Sequence, residues 1–350
     1  MVQIEFTSRT DSEQLAGFLP SYTFTPIVER LLLVAALSAD GSGELQAQVR
    51  PASVAGSDQA IAFGAFLDDG SLLGVIDPDC ALVRAAINDV WAEVVGVHDR
   101  PADDIADYRL VICDEADHEP SGPSGIRLLG EEPSPWRHSI RIPPVVEIDL
   151  NAGVCLGQPA ELFVRVFAAT VLERVLDFVG ADVDTERMGV LHGQLALTPV
   201  GTKHLPIVIY DDFTPLVGES TSGSVHVSAD AQETTAQSPT AAIIHSHPVA
   251  ALPEEQHDDA ESGPVRGPAD LSPVDLRQLR QGLPHAHQAS WVASLPATRD
   301  ERVLLTAFGY SRPGVVSAEG GFWVVGDEHL PPVREAATSA DPVPKESVTS

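Results

Sequence analysis

Basic charge is what this sequence has least of. Its 350 residues carry 21 Lys and Arg against 51 Asp and Glu, a formal net charge of −30, and the only lysines are Lys203 and Lys345. Such a chain repels a phosphate backbone, so no nucleic-acid partner is expected and basic or neutral protein surfaces suit it better. Cysteine is scarce as well: Cys80, Cys113 and Cys155 are widely spaced among apolar neighbours, which excludes a disulfide framework and reads as reduced core residues. Cys113 precedes Asp114-Glu115-Ala116-Asp117, and carboxylates raise a thiol pKa, which works against a catalytic thiolate. No apolar run approaches the roughly eighteen residues of a membrane span, and MVQIEFTSRTDSEQ has no basic segment leading into an apolar one. Neither membrane contact nor a signal peptide is expected, and the chain reads as cytoplasmic.

With 43% apolar residues the chain is long enough for two domains. Residues 1–150 read as a small α+β domain. It has a helix over 24–37, a hairpin of 60–66 and 72–76 around Asp69-Gly70, an amphipathic helix over 80–95 and a strand over 108–113. A Pro/Gly-rich loop over 114–138 and strands at 139–142 and 145–150 complete it. It holds no glycine-rich phosphate loop, metal-type spacing or nucleophile beside a base, so no role follows from its residues.

The second half begins near Pro159. Residues 160–179 read as a mostly buried helix with Glu161, Arg165, Glu173 and Asp177 on one wet stripe and Gly180 as its stop. An apolar run over 188–197 carries Gly189 and Gly193, as if another backbone or a ligand passed closely. Strands are expected at 205–210, 289–295, 302–310 and 321–325, with an exposed hairpin or loop at 217–231. The fold class expected is therefore α/β (α+β), a sheet flanked by helices with the site at strand ends. A polar tail from about 331 to 350 reads as disordered.

The most informative stretch runs from Thr240 to Leu279. Ala241 to Ile244 reads as a buried strand ending in His245, Ser246, His247 and the strand-stopping Pro248. Side chains alternate along a strand, so His245 and His247 share a face and Ser246 points away. Downstream, Ser272-Pro273-Val274-Asp275 precedes Leu276, Leu279 and Leu283 at helical spacing, with Ser272 as N-cap and Asp275 in the first turn. Each piece has a plain structural explanation, because Ser-Pro-x-Asp starts a helix without any chemistry. Their conjunction, with Glu186 upstream in DTERMGVLHGQL, points to a site. A second His-x-His, His285 and His287, has no carboxylate near it in sequence and reads as solvated.

Glu186 followed by Met-Gly-Val-Leu-x-Gly, then His-Ser-His-Pro, then Ser-x-x-Asp resembles the signature of the JAMM (JAB1/MPN+) metalloproteases of bacterial or archaeal JAB-domain type, over about 159–325. The resemblance implies a JAB/MPN-like domain over 159–328, zinc held by His245, His247 and Asp275, Glu186 as general acid/base, and Ser272 stabilising the oxyanion. It further implies cleavage of a ubiquitin-like protein or its conjugates. Two imidazoles and a carboxylate leave a fourth position for water, as in catalytic rather than structural zinc sites.

One departure is plain: the family usually has about seven residues between the second His and the Ser, whereas Pro248 to Leu271 makes 24. Loop-closure cost grows slowly with length, so an acidic insertion at about 249–268 can leave both ends of the motif in place. It also leaves Asp258, Asp259, Asp270 and His257 as rivals to Asp275. With Glu254, Glu255, Asp258, Asp259 and Glu261 against Arg266, the insertion cannot form a core and is expected to be a flap over the cleft; the plain alternative is an inert surface loop.

Two readings from other classes stay open. One is a non-cleaving MPN-type scaffold, which has no reason to keep all five residues; the other is a zinc amidohydrolase acting on a small molecule. The substrate and the oligomeric state are not legible. Shortening the insertion to about seven residues is expected to keep zinc and fold and to change kinetics on ubiquitin-like substrates differently from those on small peptides. Unchanged kinetics on both would mark the loop as inert, and loss of zinc would reopen the choice of ligands.

Overall fold

The computed structural model describes residues 2–9, 14–37, 43–54, 57–98, 105–113, 126–128, 136–157, 163–182, 184–200, 203–216, 218–220, 225–227, 240–247, 271, 275–276, 279–280, 283, 285–295, 303–312, 315–318 and 321–331. The insertion, Ser272, the rivals Asp258, Asp259, Asp270 and His257, and the tail beyond 331 lie outside the described residues. The chain adopts the mixed α+β class, mostly strands with few helices. Among the described residues no helix is long and apolar enough to cross a membrane.

In the first half, β1 (Val2–Ser8) lies between β2 (Gln14–Phe18) and a later strand, and α1 (Thr25–Leu37) follows. β3 (Glu44–Val54), β4 (Ala62–Leu67) and β5 (Leu72–Ile76) form an antiparallel sheet. α2 (Ala81–His98) leads to β6 (Ile105–Ile112), the outer partner of β1. β7 (Ile126–Leu128) and β8 (Arg137–Arg141) pair with successive parts of β3. Gly70, at φ 83°, makes the turn between β4 and β5 as its Asp-Gly signal requires. β1 was not among the expected elements, although the alternation Val2-Gln3-Ile4-Glu5-Phe6 marks it, with Val2, Ile4 and Phe6 fully buried. The three cysteines are free; Cys113 is exposed, Cys155 is partly buried, and Cys80 is partly buried and packs against the first apolar cluster. Apolar sequence neighbours did not bury Cys113, because the pairing of β6 with β1 ends at Ile112.

The second half builds a nine-stranded sheet. After β9 (Val154–Leu156) come β10 (Val164–Ala168), α3 (Ala169–Gly180), β11 (Met188–Val200) and β12 (Lys203–Pro215). The small hairpin β13 (Gly218–Ser220) and β14 (Val225–Val227) falls in the stretch expected to be a hairpin or loop. β15 (Thr240–His247), β16 (Ala289–Ser294), β17 (Leu304–Arg312), β18 (Val315–Ala318) and β19 (Phe322–Val325) complete the set, in the spatial order β18-β17-β16-β15-β11-β12-β10-β19-β9.

Two sequence-based expectations fail here for identifiable reasons. The helix expected over 160–179 is a strand followed by a helix. β10 is buried along its whole length and pairs in parallel with both β12 and β19, so it lacks the alternation that marks a half-exposed strand. The strand expected at 145–150 is reduced to one bridge between Val145 and Leu197.

Gly193 behaves as its position in an apolar run suggests. The β11 register shifts at His192/Gly193, and a Cβ on Gly193 would overlap the Ile209 carbonyl oxygen of β12. Gly193→Ala is expected to cost on the order of 1–3 kcal/mol, the usual range for forced overpacking. A drop of a few degrees in thermal midpoint is the expected result; an unchanged midpoint would mean the β11–β12 contact is looser than it looks.

Candidate metal centre

The site follows from one feature of the sheet. β15 pairs antiparallel with β11 but parallel with β16, with His245 opposite Val292 and His247 opposite Ser294. Parallel neighbours cannot be joined by a tight turn, so the chain leaving His247 must cross back to the other end of the sheet before entering β16. The crossover carries helical residues at 275–276 and 279–280, and the Leu283 amide donates to the Leu279 carbonyl at 2.9 Å. Asp275, at the end of the crossover nearer His247, is thereby brought to the two histidines. The far end of the crossover delivers His285 and His287 to the opposite edge, ahead of Ala289.

β15 divides its side chains as its period demands. Ala242 and Ile244 enter the core with Phe167, Leu191, Tyr210 and Trp291, whereas Ile243 packs on the other side with Leu279 and Val292. His245 and His247 share the side of Ile243, and their Nε2 atoms approach to 3.0 Å. Asp275 Oδ2 lies 3.6 Å from His245 Nε2 and 3.9 Å from His247 Nε2. Three donors on one tetrahedral ion at 2.0–2.1 Å would stand roughly 3.3–3.4 Å apart, so this triangle has the size of a zinc ligand set. The donor chemistry fits as well, with two imidazoles and a carboxylate, and no thiol.

Glu186 completes the cluster. Its carboxylate and the two imidazoles bring their ligand atoms within 4.8 Å of one another, so Glu186, His245 and His247 could hold a metal ion. Glu186 stands two residues before β11 rather than within it, and it is buried. Ser246 explains how it is held. This residue points away from the histidines; its Oγ accepts from the Arg187 amide at 2.9 Å and its own amide donates to the Arg187 carbonyl at 2.8 Å. The Arg187 guanidinium also donates to the Phe178 carbonyl at 3.1 Å, tying the segment to the end of α3. Nothing in the sequence announced this clamp beyond the alternation that turned Ser246 away, because its partner lies 59 residues upstream.

Burial pushes the Glu186 carboxyl above its ordinary range, and the charge of Asp275 adds to this against the opposing pull of His245. For His245 burial alone would lower the pKa. The hydrogen bond and charge of Asp275, joined by the charge of Glu186, outweigh burial and raise it.

The second His-x-His has a carboxylate partner that the sequence did not suggest, although His285 itself is exposed, with 49% of its side chain accessible. His285 Nδ1 lies 2.6 Å from Glu29 Oε1, and the Ala286 amide donates to Glu29 Oε2 at 2.9 Å. The carboxylate partner exists, 256 residues upstream on α1, beyond any local reading. Burial lowers the His287 pKa to about 4, so that ring is neutral at physiological pH. These two residues close a contact between helix end and α1, and they do not join the metal cluster.

No family model matches the chain, and no curated protein matches it. Among solved structures, the solution structure of protein DSY2949 from Desulfitobacterium hafniense matches at 17% identity and a TM-score of 0.29, over 47% of this chain and 94% of that one. A likeness that loose fixes neither fold nor function.

A metal titration of the full chain tests the centre. His245→Ala and His247→Ala are each expected to weaken zinc binding by more than ~100-fold, beyond the 10–100-fold typical of groups that only orient a ligand. Asp275→Ala is expected to cost far more than Asp258→Ala, Asp259→Ala or Asp270→Ala, and the reverse order would make Asp275 a helix-start residue only. Metal requires a neutral imidazole, and the His245 pKa is raised, so protons compete from a higher pH than for an ordinary histidine. Zinc affinity should therefore fall steadily as pH is lowered through and above the usual histidine range.

Proposed function

We propose that the chain is a zinc-dependent hydrolase of JAMM type that cleaves isopeptide or peptide bonds of a ubiquitin-like protein or its conjugates. The observation that carries this reading is the meeting of His245, His247 and Asp275 beside a buried Glu186, four residues of the signature drawn from three separate parts of the chain. A mixed sheet flanked by helices, with the cluster at a strand end, is consistent with a JAB/MPN-like domain.

In this reading His245, His247 and Asp275 hold the zinc. When bound, zinc supplies a Lewis acid for the amide carbonyl and makes a nucleophile available from water near neutral pH. Glu186 takes a proton from the attacking water and returns it to the departing amine, which for an isopeptide is a lysine ε-amine. A carboxylate whose pKa is raised by burial is a stronger base toward the attacking water, and it keeps the proton it takes until the amine departs. Ser246 contributes by fixing the backbone that presents Glu186. Ser272 would donate to the oxyanion. The negative net charge suits substrates that present basic or neutral surfaces near the scissile bond.

Glu186→Gln separates binding from chemistry. Zinc content should match the parent, while hydrolysis of a lysine isopeptide falls by about 10²–10⁴-fold, the usual contribution of general acid–base catalysis. Loss of zinc would make Glu186 a ligand, and parental activity would remove it from the mechanism. Metal-free stability gives a second readout. A carboxyl whose folded pKa is raised loses stability as pH climbs from its unfolded pKa through its folded one. The Gln variant should accordingly melt at or above the parent at pH 8, with the difference closing toward pH 4.

A further inference from the structure

Resting on the metal-centre reading, we infer that the first half of the chain sets the position of the Asp275 carboxylate, with Asp89 and Arg280 as positioning residues for the third ligand. The three ligands are held unequally. His245 and His247 belong to a strand paired on both sides, to β11 and to β16, whereas Asp275 belongs to the crossover helix and depends on how that helix docks.

The docking is to α2. Arg280 Nε and Nη2 donate to Asp89 Oδ2 and Oδ1 at 3.2 and 2.8 Å, a two-pronged contact in which Asp89 is 4% exposed. A fork of this kind fixes orientation as well as distance. Asp89 is itself rigidly mounted, since α2 places Trp91 against Phe6 of β1 with ring centroids 5.0 Å apart. Leu271, Leu279 and Leu283 enter the same apolar cluster as Phe6 and Trp91. At the helix end, Tyr310 Oη donates toward the Leu279 and Leu283 carbonyls at 3.3 and 3.2 Å, and Glu29 holds His285 and Ala286.

Arg280 lies five positions after Asp275, about 140° around at helical spacing, so the carboxylate and the fork act on different sides. A roll of about 10° would carry a carboxylate at the ~6 Å side-chain radius by about 1 Å. Metal–ligand distances tolerate only about 0.2 Å, so a pair that stops the roll controls the third ligand. Apolar contacts resist a roll poorly because they carry no direction. The fork does resist it.

A double-mutant cycle on the full-length protein tests this, reading zinc affinity by chelator competition and the visible absorption of the cobalt-substituted form. Asp89→Asn and Arg280→Lys are each expected to weaken zinc about tenfold or more, as for other groups that orient a ligand, and to shift the cobalt bands. In an Asp275→Ala background the same substitutions should cost nothing further. Phe63→Leu, destabilising the same core through its contacts with Phe24 and Trp136 and away from α2, should lower the thermal midpoint and keep parental affinity and spectrum. Parental affinity in both fork variants overturns the inference, and so do losses that add to that of Asp275→Ala or a Phe63→Leu loss as large as theirs. If the parent takes up no zinc, the metal reading falls and the inference with it. If the parent binds zinc and His245→Ala does not, parental behaviour of the fork variants overturns the inference alone.

Discussion

The parallel pairing of β15 with β16 is the constraint on which the rest of the structure depends. An antiparallel neighbour could have been reached by a hairpin, and the residues after His247 would then have turned straight back. Parallel pairing forces a crossover the length of the sheet, and a helix is the compact way to make one. Asp275 meets the histidines, and His285 meets Glu29, for the same topological reason.

The crossover helix then becomes the layer between two cores. Its leucines join the cluster built by Phe6, Phe24, Phe63, Trp91 and Trp136, while Phe167, Tyr210, Trp291 and Phe322 fill the opposite side of the sheet. Burying a carboxylate or a guanidinium is costly, and pairing them seldom adds much net stability. Asp89 with Arg280, and Glu29 with His285, are better understood as devices of position, because each ties one end of the helix to a chosen point on α2 or α1. At the other flank Ser246 does the same for Glu186, with uncharged groups and two short hydrogen bonds. The cluster is thus framed from both faces of the sheet.

The electrostatic character of the site follows from this enclosure. Glu186 and Asp275 share a small volume with two imidazoles, and burial raises the Glu186 pKa while the carboxylates raise that of His245. Glu186 and His245 are both shifted toward their protonated forms. A divalent cation held there would relieve that state, since its charge offsets the carboxylates and its binding needs neutral imidazoles.

How much of this was legible in the residues varied with distance along the chain. Strand alternation alone placed His245 and His247 on one face, the Asp-Gly pair located the β4–β5 turn, and the glycine in an apolar run marked the close approach to Ile209. The all-buried β10 was taken for helix because a strand covered on both faces shows no period to read. His285 looked solvated because its carboxylate sits on α1.

What the sequence by itself determined was therefore local: which side chains share a face, where turns fall, and which residue types could bind a metal. These depend on backbone periods and side-chain chemistry that each segment carries with it. Tertiary structure alone decided the meetings of Asp275 with the histidines, of Ser246 with Arg187, and of Asp89 with Arg280, the last pair 191 residues apart. Such contacts depend on strand order and crossover direction, which are chosen by the burial of the whole chain at once and leave no periodic trace in any one segment.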